Sequence, residues 1–93
     1  MKTVTIGIGN TDDKLTQVKW SNYVRTVDAI VTSQHADVHF AGGSSAELPW
    51  QNYCWVLVIK EKQVQELKTS LVFLKTQYEQ ESIAFVVGNT ELI

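Results

Sequence analysis

Apolar residues at Val4, Ile6 and Ile8 alternate with Thr5, Gly7 and Gly9, the period of two expected of a half-buried strand. The run Gly9-Asn-Thr-Asp-Asp-Lys14 breaks that pattern as a turn. From about Thr16 the spacing becomes helical, with Trp20, Tyr23, Val24, Val27, Ile30 and Val31 on one stripe. Thr16 is placed to cap this helix, and Asp12 and Asp13 lie near its positive end. Residues 36–41 return to a period of two, with Val38 and Phe40 on the face expected to meet the helices and His39 on the other. The glycine- and serine-rich run 42–49 reads as a loop, followed by a third strand over residues 51–59. A second helical period covers residues 61–79, where Val64, Leu67, Leu71, Leu74 and Tyr78 share a stripe and Val72 and Phe73 point away from it. Residues 82–87 read as a fourth strand, ended by Gly88-Asn-Thr90.

The order βαββαβ is most economically satisfied by one domain over residues 1–93, a ferredoxin-like α+β plait. It has a four-stranded antiparallel sheet with both helices on one side. Gly-Asn-Thr occurs at 9–11 and again at 88–90. In a plait these turns fall at opposite ends of the sheet, so they read as two separate strand-ending turns.

The third strand is apolar on both faces. Tyr53, Trp55, Leu57 and Ile59 share one side, and Cys54, Val56 and Val58 share the other. The smaller set fits beneath two helices, which leaves Tyr53, Trp55, Leu57 and Ile59 expected on the open face beside Thr5, Gly7, Gly9 and His39. An exposed apolar sheet face of that size calls for a cover, and a second copy of the chain is the expected one.

Net charge is −2, from 8 Lys and Arg against 10 Asp and Glu, with no basic run. That counts against binding nucleic acid by phosphate neutralisation. The single cysteine, Cys54, lies in the most apolar strand and reads as an inert thiol. Neither a signal-peptide core nor an 18-residue apolar run is present, so a cytoplasmic location without membrane attachment is expected. No P-loop, metal-ligand spacing or nucleophile–base arrangement is legible, and no cofactor is implied. His35 falls in the turn after the first helix, and neither it nor His39 has an evident acidic partner. A non-catalytic role is the leading expectation.

The plait topology also brings loops together at one edge of the sheet. Asn10, Asp12, Asp13 and Lys14 should approach Ser44, Ser45, Glu47, Trp50 and Asn52 there. Carboxylates, amides, hydroxyls and an indole beside a helix N-terminus suit a small polar ligand, a partner protein or a hard cation. The same residues suit ordinary turns. A small enzyme with Asp12 or Asp13 as general base is a third reading of this edge.

Two resemblances bear on function. The topology resembles that of RNA recognition motifs, and Tyr53-Cys-Trp-Val56 and Ile6-Gly-Ile-Gly-Asn10 partly mimic their third- and first-strand signatures. That likeness implies bases of single-stranded RNA stacked on Tyr53 and Trp55. The match is incomplete, since Gly7 replaces the first-strand aromatic and Gln51 the basic residue opening the third-strand signature. The segments from Ile6 to Gln17 and from Pro49 to Trp55, about one fifth of the chain, resemble small uncharacterised proteins of phages and actinobacteria. This second resemblance implies a phage-borne modulator that binds a host protein or a host signalling nucleotide. It carries no catalytic residue with it.

Overall fold

A computed structural model of the chain describes residues 1–44 and 51–93. The elements are β1 (Lys2–Gly9), α1 (Gln17–Ser33), β2 (Asp37–Gly43), β3 (Asn52–Ile59), α2 (Glu61–Gln77) and β4 (Ala84–Asn89). The strands form one antiparallel sheet in the order β2-β3-β1-β4, the arrangement of a βαββαβ plait.

Capping fixes where the helices begin. Thr16 Oγ1 accepts the Lys19 N–H at 3.2 Å, satisfying one of the free donors of the first turn of α1. At α2 the Gln63 side chain accepts the Lys60 N–H at 3.1 Å and donates to the Gln34 carbonyl at 2.7 Å. One amide thus ties the start of α2 to the end of α1. Both helices end on a residue in the left-handed region, His35 (φ 53°) after α1 and Glu79 (φ 55°) after α2. At α2 the Glu79 N–H reaches Thr76 O and the Gln80 N–H reaches Lys75 O, the paired bonds of a Schellman cap.

Register decides which side chains meet. Val4 pairs with Leu57, Ile6 with Trp55 and Ile8 with Tyr53, and residues opposite each other in an antiparallel pair share a face. Val4, Ile6, Ile8, Trp55, Leu57 and Ile59 are all buried, in one cluster with Trp20, Tyr23, Val27 and Val31 of α1 and Leu67, Leu71 and Leu74 of α2. Trp55 is fully buried and donates its Nε1–H to Asp28 Oδ1 of α1 at 3.0 Å.

This corrects the expected face of β3. Tyr53, Trp55, Leu57 and Ile59 lie under the helices, and Cys54, Val56 and Val58 lie on the open side. The physical reason is volume: the space between a sheet and two helices takes the larger set, including an indole whose polar edge reaches α1.

A second correction concerns β2. Between Val38, paired with Leu57, and Phe40, paired with Val56, the register shifts by one residue. An inserted residue reverses the alternation beyond it. Phe40, expected beneath the helices, therefore falls on the open side, 53% exposed. His39, expected on the open face, lies in the shift itself. Val38, before the shift, stays on the helix side opposite Leu57 as expected, at 44% exposure.

Candidate functional site

The open side of the sheet carries the row Asp37, Val58, Thr3 and Gly88 and, next to it, two uncharged cross-strand rows. The first is Phe40, Val56, Thr5 and Val86, and the second is Gly42, Cys54, Gly7 and Ala84. Thr5 and Gly7 thus stand on the open face. Phe40 and Val86 end the first row at opposite edges of the sheet, at 53% and 62% exposure. The second row carries almost no side-chain bulk, and the Phe40 ring leans across it. A Cβ at Gly42 would stand 2.9 Å from Phe40 Cζ, so a side chain there would push the exposed ring aside. Val58 adds a buried aliphatic beside Thr3, whose hydroxyl meets that of Thr90 at 2.7 Å. None of the eight positions in the Phe40 and Gly42 rows is charged.

The loop edge is organised by Asn10, which is 2% exposed. Its Nδ2 donates to Leu15 O at 3.0 Å and Gln51 Oε1 at 3.1 Å, and its Oδ1 accepts the Leu15 N–H at 3.0 Å. Gln51 and Gln17 exchange amide bonds at 2.8 and 3.1 Å. The network pins the β1–α1 loop to the start of β3. Expected to meet a ligand, Asn10 instead has both amide protons committed inside the protein, because a buried amide must find partners there.

Asp12, Asp13 and Lys14 are exposed. Lys14 pairs with Asp12 at 3.6 Å and with Glu81 at 3.5 Å, contacts that are worth little at a solvated surface. Asp12 shares a recess of about 180 Å³ with Thr11, Gln80, Glu81 and Ser82. The segment leading into β4 was not anticipated at this edge; the signal was the topology, since β4 starts where β1 ends. Ser44 and Asn52 close the other side, with the Asn52 N–H donating to Ser44 Oγ at 3.0 Å. Ser45, Glu47 and Trp50 lie outside the described residues.

The two Gly-Asn-Thr segments are at opposite ends of β1, with Asn10 beside Gln51 and Asn89 beside Lys2. Among the described residues no cluster of three His, Cys, Asp or Glu side chains is placed to hold a metal ion. Among them no helix is long and apolar enough to cross a membrane.

One buried polar group stands apart. The Tyr23 hydroxyl has no hydrogen-bond partner among the described residues, and its ring stacks on Tyr78 at 4.7 Å between centroids. Burial, reinforced by the neighbouring Tyr78, pushes its pKa up to about 12. The group is held neutral as part of the core.

The sequence matches no known family model and no curated protein.

Proposed function

We propose that the protein is a non-catalytic binding domain that self-associates through the open face of its sheet. The observation that carries this reading is the row Phe40–Val56–Thr5–Val86, an uncharged and largely apolar strip ending in two exposed hydrophobic side chains. The bare row beside it, Gly42–Cys54–Gly7–Ala84, allows close approach of an opposing surface. A second copy brings a bare row for each protruding one, as a two-fold interface requires.

Size sets the expected strength. Four strands spaced ~4.8 Å apart, with ~7 residues each rising ~3.3 Å, give a footprint of roughly 400–450 Å². Two such faces remove on the order of 1,000 Å² from solvent, the lower end for specific interfaces. The association is therefore reversible and concentration-dependent. Single-stranded RNA is the weaker reading, because Tyr53 and Trp55 lie beneath the helices and the two rows supply no cation. The phage-like resemblance favours a modulator of a host protein, with the sheet face a better surface than the loop edge.

Light scattering across a concentration series tests this. Wild type should rise from the 10.5 kDa monomer mass toward twice that value, and Phe40→Asp/Val86→Asp should remain monomeric with an unchanged circular dichroism spectrum. A double variant that dimerises like wild type would remove the sheet face from consideration.

A further inference from the structure

We infer that the outer edge of β4, with the groove between β4 and α2, captures an extended peptide of the pattern acidic–x–aliphatic–x–acidic from a partner protein. This goes beyond self-association and does not depend on it. Among the described strands β4 pairs with β1 alone and forms one margin of the sheet. Every second residue of an edge strand turns its N–H and C=O outward, where they template another strand. The two margins differ. β2 is interrupted by the register shift at Val38/Phe40, which blunts an edge. The β4 sequence, Ala-Phe-Val-Val-Gly-Asn, has no proline or charged residue to discourage pairing, and its register against β1 is unbroken.

The groove supplies side-chain recognition. It holds about 200 Å³ and is lined by Leu71, Val72, Lys68 and Lys75 of α2, Phe85 of β4, and Ile83 just before that strand. Val72 at its rim is 52% exposed. A strand added to β4 sends every other side chain toward the helix layer, into this apolar trough, as in other strand-addition complexes.

Charge selects the occupant. Neither Lys68 nor Lys75 forms an ion pair among the described residues, while Glu81 at the end of the groove is paired with Lys14. The groove therefore presents two cations without an ion pair among the described residues on either side of Leu71 and Val72, with the exposed Glu81 at its end. Seven residues of helix separate the lysines by ~10.5 Å, and same-side strand positions four apart are separated by ~13 Å. The flexible lysine stems span that difference. Two acidic residues flanking an aliphatic one at alternate positions thus match both lysines and the trough, in either strand direction. A second copy is a poor occupant, since its own β4 would leave both lysines unanswered. Nowhere does this chain place acidic residues four apart around an aliphatic one, so the segment belongs to a different protein.

The test uses a fluorescein-labelled heptapeptide of threonines carrying glutamate, valine and glutamate at its second, fourth and sixth positions. Fluorescence anisotropy at low salt should saturate with a Kd below about 1 mM, given so small an interface. Lys68→Glu/Lys75→Glu should weaken binding at least about tenfold and bind the peptide bearing lysines in place of the glutamates. Lys68→Gln/Lys75→Gln, which adds no repulsion, should fall between wild type and the reversed variant. N-methylation of the third and fourth peptide residues, covering both strand parities, should abolish binding. Amide resonances of residues 84–89 should shift on titration. Absence of saturation, equal binding of the N-methylated peptide, or indifference to the charge-reversed variant would each overturn the inference. So would protection of the β4 amides by a second copy without peptide.

Discussion

Truncating one aromatic on each side of the sheet tests the side assignment directly. Trp55 is fully buried and Phe40 is 53% exposed. Removing a large aromatic from a packed core costs about 3–5 kcal/mol. A chain of this length has only about 5–14 kcal/mol of total stability, so Trp55→Ala should lose a large fraction of it. Trp55→Phe keeps most of the apolar contact and gives up the bond to Asp28. Because Asp28 is exposed and regains water, that variant should lose only about 1–2 kcal/mol. Phe40→Ala removes a ring already half in solvent and should cost no more than about 1 kcal/mol. Urea unfolding followed by circular dichroism gives all three values. The titrations belong at several protein concentrations, because self-association through Phe40 adds a concentration-dependent component to wild-type stability. If Phe40→Ala costs as much as Trp55→Ala at the lowest concentration, the assignment of sides is wrong.

Three further outcomes are expected. Glu79→Gly should raise stability by about 0.5–1 kcal/mol in the same assay, since φ 55° at the α2 cap strains any residue with a Cβ. Asn10→Ala should lower stability by about 2–4 kcal/mol by orphaning the buried polar groups of Leu15 and Gln51; a loss under 1 kcal/mol would return Asn10 to the pool of ligand-binding candidates. Tyr23→Phe should be neutral or stabilising by about 1 kcal/mol near pH 7, because the hydroxyl is unpaired. The Tyr23 pKa is raised from 10.0 to about 12, so unfolding releases its proton more readily once pH passes 10. Wild type should then lose stability between about pH 10 and 12, and Tyr23→Phe should lose less, the difference reaching roughly 2 kcal/mol.

The helices were legible because each carries a single apolar stripe, and the order of elements limited the topology to a plait. Facing was harder. β3 is apolar on both sides, so its alternation identified the two sets without saying which the helices cover. Strand pairing resolves this: Trp55 opposite Ile6 and Leu57 opposite Val4 join two core-facing sets. The size of the set could have served as a signal, since a two-layer core needs Trp55 more than it needs Cys54. The shift at His39 was hidden for a different reason. No glycine or proline marks it, and one inserted residue is enough to move Phe40 from the core to the open side. At the loop edge, proximity of Asn10 to the start of β3 was readable from topology. That proximity exists to bury an amide network, and the same polar residue types serve either purpose.

The open face and the β4 edge meet at Val86, which couples the two proposed associations. A peptide strand added beside β4 extends the open face by one strand, ~4.8 Å of extra width or about 100 Å² over the length of the sheet. That is roughly a quarter more footprint for self-association. Whether the extension helps depends on the peptide side chains directed to the open side, the positions between its acidic and aliphatic residues. Apolar residues there lengthen the Phe40–Val56–Thr5–Val86 row, whereas charged ones place like charges together across the two-fold. Linkage is reciprocal, so a peptide that tightens the dimer must itself bind the dimer more tightly than the monomer. Replacing the two threonines beside the central valine with valines should therefore shift dimerisation, read by light scattering, to lower protein concentration, and replacing them with lysines should shift it higher. Identical dimerisation curves with the two peptides, both at saturation, would show that the edge and the face act independently.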